Sequence, residues 1–576
     1  MGNESSSEDM TGPVLAMYDV TGIQSYIFKT PKMKDAIGAS AIIEDIIQDA
    51  LCDAVSDLDK CKTCDVEKIS RDLEWKTEEG IRHFDDKNVK DVKVVYIGGG
   101  NGFVIYKDKE TAVEVSKKMA KYVLDSTYSL QLAVAIVKKT DNYSEDYTDV
   151  MNKMTDIKAK MKKSSPIGAF PIVKTEYSTG CPIKEEGLSA ESILKRNKAS
   201  EKRKGIDKEY NKIDSYVEKK GSDSMLAVVH IDGNNMGLRI RALMEGDKNS
   251  KENQTYDKAV NRIRRISFNI SNSYKKVFDD MKDYFDSLLE GNSQNQLFKE
   301  KRVRDAFVMK IITAGDDITY ICNARIALAT VEYFSKKISE KGLIDGCKPE
   351  ELKEMCVENE RDYKFSVCGG VAYFNSHFPF NIAYDVAESC CESAKKRAKK
   401  EDNEDEFHRI RNWVDYQFCR SVQSRDLSEE RRKRYRSPDG KSLLKRPYCI
   451  PTDAETEQDY KEICTMINYD VFCKDMEDYV LEKSGSVPRS HVKKLRDCYS
   501  MGKIQVDKFC AFLDSRGIEM PKDMYQAITE GEEVAHLYDA LEVADEFLSY
   551  KEIEDIKVAN GKADNEKGGE TGNDEN

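Results

Sequence analysis

Two periods alternate along this chain, and the order in which they change gives the first picture of its fold. "LAMYDV" (15–20) is a short apolar run of strand character, and "KDAIGASAIIEDIIQDAL" (34–51) spaces its apolar residues at helical intervals. "VKVVYIGGGNGFVIY" (92–106) reads as two strands joined by a glycine turn, "TAVEVSKKMAKYVL" (111–124) as an amphipathic helix and "LQLAVAIV" (130–137) as a further strand. Strand, helix, hairpin, helix, strand is the order of a ferredoxin-like unit.

The same order returns in the second half. "MLAVVHID" (225–232) is a strand, a long helical stretch follows at about 256–290, and "FVMKIITAGDDITYIC" (307–322) is a second hairpin. The helix "ARIALATVEYFSKKI" (324–338), the strand "YKFSVCGGVAYF" (363–374) and the helix "NIAYDVAESCCESAKKRAKK" (381–400) complete the unit. Each hairpin turn comes about eighty residues after an acidic residue closing the first strand, Asp19 in one half and Asp232 in the other. Laid on each other, Gly99, Gly100, Asn101 and Gly102 fall opposite Ala314, Gly315, Asp316 and Asp317, a duplication in which the first copy has lost its carboxylates.

These boundaries predict a disordered start at 1–14, a first unit at 15–175 and a lysine-rich linker at 176–224. A second unit follows at 225–403, and strand signals then largely fade, which predicts a helical domain at 404–558. The polar tail at 559–576 cannot bury enough apolar surface to fold.

The adjacent carboxylates of "KIITAGDDITYIC" are costly inside a sheet unless cations, donors or water meet them. A solvent-facing Asp-rich turn would explain them simply. Asp232 adds a second consideration: in a ferredoxin-like unit the strand ending at Asp232 lies beside the hairpin, so three carboxylates meet at one sheet edge. Oxygen donors of this kind suit magnesium or manganese, with substrate phosphates completing the shell. Ala314 and Gly315 would let backbone approach a triphosphate closely.

Composition narrows the class. The chain has 576 residues, of which 39% are hydrophobic and 34% charged, as in a globular protein. Its net charge of −13 argues against a surface coated in nucleic acid, though not against a local basic groove. The absence of a long apolar run or an apolar leader makes the cytoplasm the expected compartment and no membrane the expected partner. The 16 cysteines agree with a reducing environment; Cys61 and Cys64 form a CxxC without a second pair at zinc spacing, and Gly2 with Ser6 fits a myristoylation pattern that short polar starts share.

Several stretches together resemble the palm domains of GGDEF nucleotide cyclases and, more specifically, the large polymerase/cyclase subunit of type III CRISPR effector complexes. "YDVTGIQSYIF" (18–28) and "AIGAS" (36–40) look like the opening of its first palm, "GGGN" (98–101) like that palm's turn and "STGCPI" (178–183) like its motif between palms. "HIDGNNMG" (230–237) and "TAGDD" look like the metal motifs of the second palm, and "LKRPY" (444–448) like a segment after it. The resemblance implies an α+β protein of two ferredoxin-like palms and a helical C-terminal domain. It implies a nucleotidyltransferase that joins ATP or another nucleoside triphosphate into a cyclic or linear oligonucleotide messenger in antiviral defence. Asp232, Asp316 and Asp317 would be catalytic and, with the Gly233 carbonyl, would hold two magnesium or manganese ions. Ala314, Gly315 and Lys395 would meet the triphosphate, although Lys395 also reads as a solvated lysine at a helix end. Gly98, Gly99, Gly100 and Asn101 would hold the acceptor nucleotide without metal. Ala314 departs from the glycine of the signature, and Asn234 stands where related palms often carry a second aspartate.

The histidines show no His-Asp nuclease pair, because "RHFDD" (82–86) lacks partner histidines, so no DNA cleavage is expected. Of three basic runs, the one holding Arg431, Lys433, Arg434 and Arg436 is the best RNA candidate, against the plain alternative of a solvated helix face. Nucleoside triphosphates, RNA and other CRISPR effector subunits are the implied partners. The competing function is a catalytically weak or inactive nucleotide- and RNA-binding scaffold, with Ala314 marking decay.

Overall fold

The computed structural model describes residues 11–59, 84, 92–98, 100–162, 172–202, 216–217, 221–245, 255–289, 308–401, 411–420, 426–452, 467–481, 488–529, 532–555 and 557. The expectations for Gly2 and Ser6, Cys61 and Cys64, most of "RHFDD", Gly99 and the tail fall outside them.

The protein is a mixed α+β fold built on two ferredoxin-like sheets, the first antiparallel and the second extended by a parallel pair. In the first half β1 (Val14–Thr21) leads through α1 (Ile23–Ile27), α2 (Met33–Ile43) and α3 (Ile46–Asp59) to the hairpin β2 (Val92–Gly98) and β3 (Asn101–Tyr106). After it come α4 (Lys109–Thr127), β4 (Gln131–Lys138) and α5 (Tyr143–Lys160). The strand order is β2-β3-β1-β4. The one helix expected at 34–51 is two, α2 and α3, and Asp108 caps α4 by accepting from the Thr111 amide at 2.8 Å.

The linker contributes α6 (Ala190–Lys202). It packs so closely on α2 that a Cβ on Gly38 would lie 1.8 Å from the Lys195 carbonyl oxygen.

The second half repeats the plan with β5 (Met225–Gly233), α7 (Met236–Glu245), α8 (Tyr256–Asp286), β6 (Val308–Ala314) and β7 (Asp317–Asn323). It continues with α9 (Ala327–Ser339), β8 (Val367–Asn375) and α10 (Phe380–Glu401). Its sheet does not stop where the helical domain was expected to begin. β9 (Asn412–Phe418) joins β8 in parallel and β10 (Tyr448–Ile450) joins β9, giving the order β10-β9-β8-β5-β7-β6. Beyond lie α11 (Leu427–Arg434), α12 (Tyr469–Asp475), α13 (Arg489–Ser500) and α14 (Lys503–Asp514). The hairpin β11 (Tyr525–Thr529) and β12 (Glu532–Ala535) and the helix α15 (Tyr538–Val543) follow, so the C-terminal part is helical with added strands.

β5 is apolar from Met225 to Val229 because both of its faces are covered. Ala227, Val229 and Ile231 enter one core with α8 and α9, whereas Leu226 and Val228 enter a core shared with the first half. Across that shared core Phe28 stacks on Tyr384 with ring centroids 3.5 Å apart, an aromatic contact worth roughly 0.5–1.5 kcal/mol beyond its buried area.

Both hairpins carry a register shift at the same place, between Val94 and Tyr96 in one and between Lys310 and Ile312 in the other. Gly98 pairs with Asn101 as Ala314 pairs with Asp317. The copies therefore match one residue earlier than the sequence suggests: Asn101 is the counterpart of Asp317, and Gly100 that of Asp316. In the first copy the carbonyls beside the shift, of Val94 and Val95, accept from Arg264 of α8 at 2.6 and 2.7 Å. Buried carbonyls freed by a bulge need such a donor.

Candidate functional site

Asp232 sits near the end of β5, and Asp316 and Asp317 lie at the tip of the β6–β7 hairpin. Ile231 pairs with Ile318 across β5 and β7, which puts Asp232 and Asp317 side by side on adjacent strands. Gly315 takes a left-handed φ of 67°, which lets the turn close in two residues. The convergence read from the sequence is thus built by backbone pairing.

The electrostatics of this cluster are those of carboxylates short of cations. Burial and then the neighbouring Asp232 raise the Asp316 carboxyl to about 6. Burial, Asp232 and Asp316 raise the Asp317 carboxyl to about 8. Asp317 Oδ1 makes no hydrogen bond, although His230 Nδ1 stands 3.4 Å away. His230 instead bonds the Thr319 hydroxyl at 3.0 Å. Burial lowers its pKa to about 4, so its imidazole is neutral near pH 7 and brings no positive charge.

Among the described residues, the cation paired with the cluster is Lys395 of α10, whose ammonium donates to Asp232 Oδ2. Burial opposes the charge on Lys395, but Asp232 outweighs it and raises the pKa. The lysine singled out in the sequence therefore lies inside the carboxylate group rather than on a free helix end.

Residues outside the motifs also reach this place. A Cβ on Gly233 would fall 2.8 Å from Asp316 Oδ2 and 2.9 Å from the Tyr274 hydroxyl. Glycine there leaves room for a carboxylate, a phenol and the Met236 methyl, also 2.9 Å away, to converge. Tyr274 comes from the middle of α8, and no spacing rule in the sequence links it to Asp316. Asn234, in the place of the second aspartate, donates to the Arg411 carbonyl at 3.2 Å and acts as a strut.

These residues fit a divalent cation in their chemistry: three carboxylates, an orphaned buried oxygen at Asp317 and a glycine-kept space beside Asp316. Among the described residues, no three His, Cys, Asp or Glu side chains already stand at metal-coordinating spacing. The ligands converge without a closed shell, and Lys395 occupies one of the oxygens.

A cavity of about 640 Å³ opens beside the hairpins. Gly98 and Gly100 of one turn and Ala314 and Gly315 of the other line it, with Lys275 and Lys310 among its polar walls. Its size is that of a small-ligand site. The three aspartates are not part of its wall; it reaches them only through Ala314 and Gly315, which immediately precede Asp316.

The first copy keeps part of the same arrangement. Asp19 ends in an ion pair with Lys158 of α5 at 2.6 Å, and α5 follows β4 as α10 follows β8. Lys158 and Lys395 each lie 20 residues past the last residue of the preceding strand, Lys138 and Asn375. The acid–lysine pair is therefore present twice, while the turn carboxylates are present once.

Other candidates make ion pairs and hydrogen bonds within the fold. Arg431 is not free for RNA: its guanidinium grips the Asp415 carboxylate at 2.7 and 2.9 Å. Burial would depress its pKa, but Asp415 raises it. Lys433 and Arg434 pair with Glu429 and Glu430 one turn away, and Arg436 donates to the Gly440 carbonyl. In "LKRPY" Arg446 is fully buried between Asp539 and Glu542, tying β9 and β10 to α15. Around "STGCPI" Glu176 is held at about 2 despite burial, by hydrogen bonds from Ser189, Ser192 and Thr179.

No helix among the described residues is long and apolar enough to cross a membrane. No protein-family model matches the sequence, and no curated protein is significantly similar to it. Solved structures are similar in fold. A chain of the Csm1–Csm4 cassette in complex with AMPPNP matches at 12% identity over 93% of this chain and 70% of that one, with a TM-score of 0.48. A cassette in complex with cA4 matches at 13% over 95% and 69%, with a TM-score of 0.46. The Csm1–Csm4 subcomplex of the type III-A CRISPR-Csm interference complex matches at 13% over 94% and 71%, with a TM-score of 0.49.

Proposed function

We propose that the protein is a metal-dependent nucleotidyltransferase that joins ATP or another nucleoside triphosphate into a cyclic or linear oligonucleotide. The setting is the one its motifs imply, antiviral defence of the type III CRISPR kind, with other effector subunits and RNA as partners. The observation that carries the reading is the convergence of Asp232, Asp316 and Asp317 on one sheet edge with too little positive charge to balance them.

In this reading Asp232, Asp316, Asp317 and the Gly233 carbonyl hold magnesium or manganese, which when bound neutralises charge on the reacting phosphate and lowers the pKa of the attacking hydroxyl. Lys395 leaves Asp232 for the triphosphate once the carboxylates gain another cation. Ala314 and Gly315 bring backbone close to the donor phosphates, and Gly98, Gly100 and Asn101 hold the acceptor across the shared cavity. The 3′-hydroxyl of the acceptor attacks the donor α-phosphorus; the O3′–P bond forms, the bond to pyrophosphate breaks and the hydroxyl proton is released.

The test is to incubate the purified protein with labelled ATP or GTP and Mg²⁺ or Mn²⁺, with and without RNA, beside the Asp316→Ala/Asp317→Ala double variant. Product from wild type and a fall of at least about 10²-fold in the variant is the expected result. Wild type without product under every condition removes the enzyme reading. A second reading, nucleotide binding without catalysis, is favoured by Ala314 and by the open spacing of the carboxylates. The same assay, with nucleotide binding measured in parallel, separates the two.

A further inference from the structure

We infer that Tyr274 is a positioning residue for Asp316, its hydroxyl donating to Asp316 Oδ2 when the carboxylate cluster holds a divalent cation. The inference rests on the metal reading of the cluster and adds to it a residue that no motif contains.

Tyr274 is fully buried on α8, with its ring fixed against Phe334 and Phe365 at centroid distances of 5.9 and 5.3 Å. Its hydroxyl makes no hydrogen bond. Phenylalanine would pack in that core equally well, and an unsatisfied buried hydroxyl is destabilising. The hydroxyl is aimed at the cluster: it and Asp316 Oδ2 lie 2.9 and 2.8 Å from the same point above Gly233. Asp316 and then Asp232 are the charges that act most strongly on it. A phenol is protonated at neutral pH and can therefore donate to a carboxylate. Carboxylates that ligate metal are typically held by such a donor, which fixes the oxygen that faces the ion. Any side chain at position 233 would fill the space through which the two groups meet.

The experiment titrates Mn²⁺ into metal-free full-length protein, following the free ion by electron paramagnetic resonance, with melting temperatures measured alongside. Tyr274→Phe is expected to bind Mn²⁺ about 10-fold more weakly, with the metal-free melting temperature unchanged or raised. Asp316→Asn is expected to weaken the same site, and adding Tyr274→Phe to it should cost nothing more. Equal Mn²⁺ affinity in wild type and Tyr274→Phe overturns the inference and leaves the metal reading standing. A lowered metal-free melting temperature in Tyr274→Phe also overturns it, because the hydroxyl would then be bonded before any ion arrives. A wild type with no Mn²⁺ site overturns the metal reading, and the inference falls with it.

Discussion

The two hairpin copies share a sheet order, a register shift and an acid–lysine pair, and differ at three turn positions, two of which hold the carboxylates. Where the second copy has Asp316 and Asp317, the first has Gly100 and Asn101. The consequence is electrostatic. In the first copy one carboxylate, Asp19, meets one ammonium, Lys158, and the charges balance. In the second, three carboxylates share Lys395. A third acidic cluster in the molecule shows what structural compensation looks like: Asp415, Asp539 and Glu542 are met by Arg431 and Arg446 and by the hydroxyls of Tyr435 and Tyr448. The carboxylates of that cluster are balanced by cations, and the hairpin carboxylates of the second copy are not.

The largest difference between the copies is expected from their lysines. Lys395→Met should lower product formation by about 10²-fold, as removal of a donor aimed at a reacting phosphate does. Lys158→Met should act mainly on KM, by less than about 10-fold, because its copy would only bind. Steady-state kinetics with ATP on both variants make the check. Equal losses in kcat would mean that both copies do chemistry, and the contrast drawn from Gly100 and Asn101 would fail.

The second prediction concerns stability. Asp317 is raised from 3.8 to about 8, so the folded protein holds that proton more tightly than the unfolded chain does. Its contribution to stability is fully present below about pH 4 and is lost as pH rises through about 8. Asp317→Asn should therefore melt about 2 °C or more above wild type at pH 8.5 without metal, with a smaller gain at pH 5. Asn101→Ala at the matching position should show no such pH-dependent gain. Thermal scans of both variants at the two pH values decide it, and a gain for Asp317→Asn that does not grow with pH would contradict the charge imbalance.

Much of this was legible in the sequence because it depends on local pattern. Strand periods placed the strands of both ferredoxin-like units within a residue or two, except that β8 begins at Val367 and not at 363, and the acidic residues closing β1 and β5 marked where the hairpins would meet them. The turn alignment was off by one because Gly98, Gly99 and Gly100 are indistinguishable in sequence, and only the pairing of Gly98 with Asn101 and of Ala314 with Asp317 fixes the register of the turn. β9 was missed because Asp415 interrupts an apolar strand, and only Arg431 and Arg446, 16 and 31 residues further on, make that charge tolerable inside a sheet. The same partnership removed Arg431 from the RNA candidates. Tyr274 and the equivalence of Lys158 with Lys395 were invisible for a related reason: both depend on which helix packs over which strand, and sequence spacing does not carry that.

The smallest expected effect asks how far the first copy stands from a metal site. Asn101 pairs in register with Asp19, so Asn101→Asp would set two carboxylates opposite each other. Like charges so placed are destabilising by up to about 1 kcal/mol, which should appear as a fall of about 1–2 °C in melting temperature at pH 8. Lys158 would have to serve both acids. No second Mn²⁺ equivalent should bind, because the counterpart of Asp316 is Gly100, at a left-handed φ of 80°. A Cβ there would lie 2.8 Å from Ile23 Cδ1, a side-chain tip that can shift, so the left-handed backbone of this turn is what disfavours an aspartate. A second bound Mn²⁺ in Asn101→Asp would show that one carboxylate separates the copies, and that the glycine turn is no barrier to restoring the first.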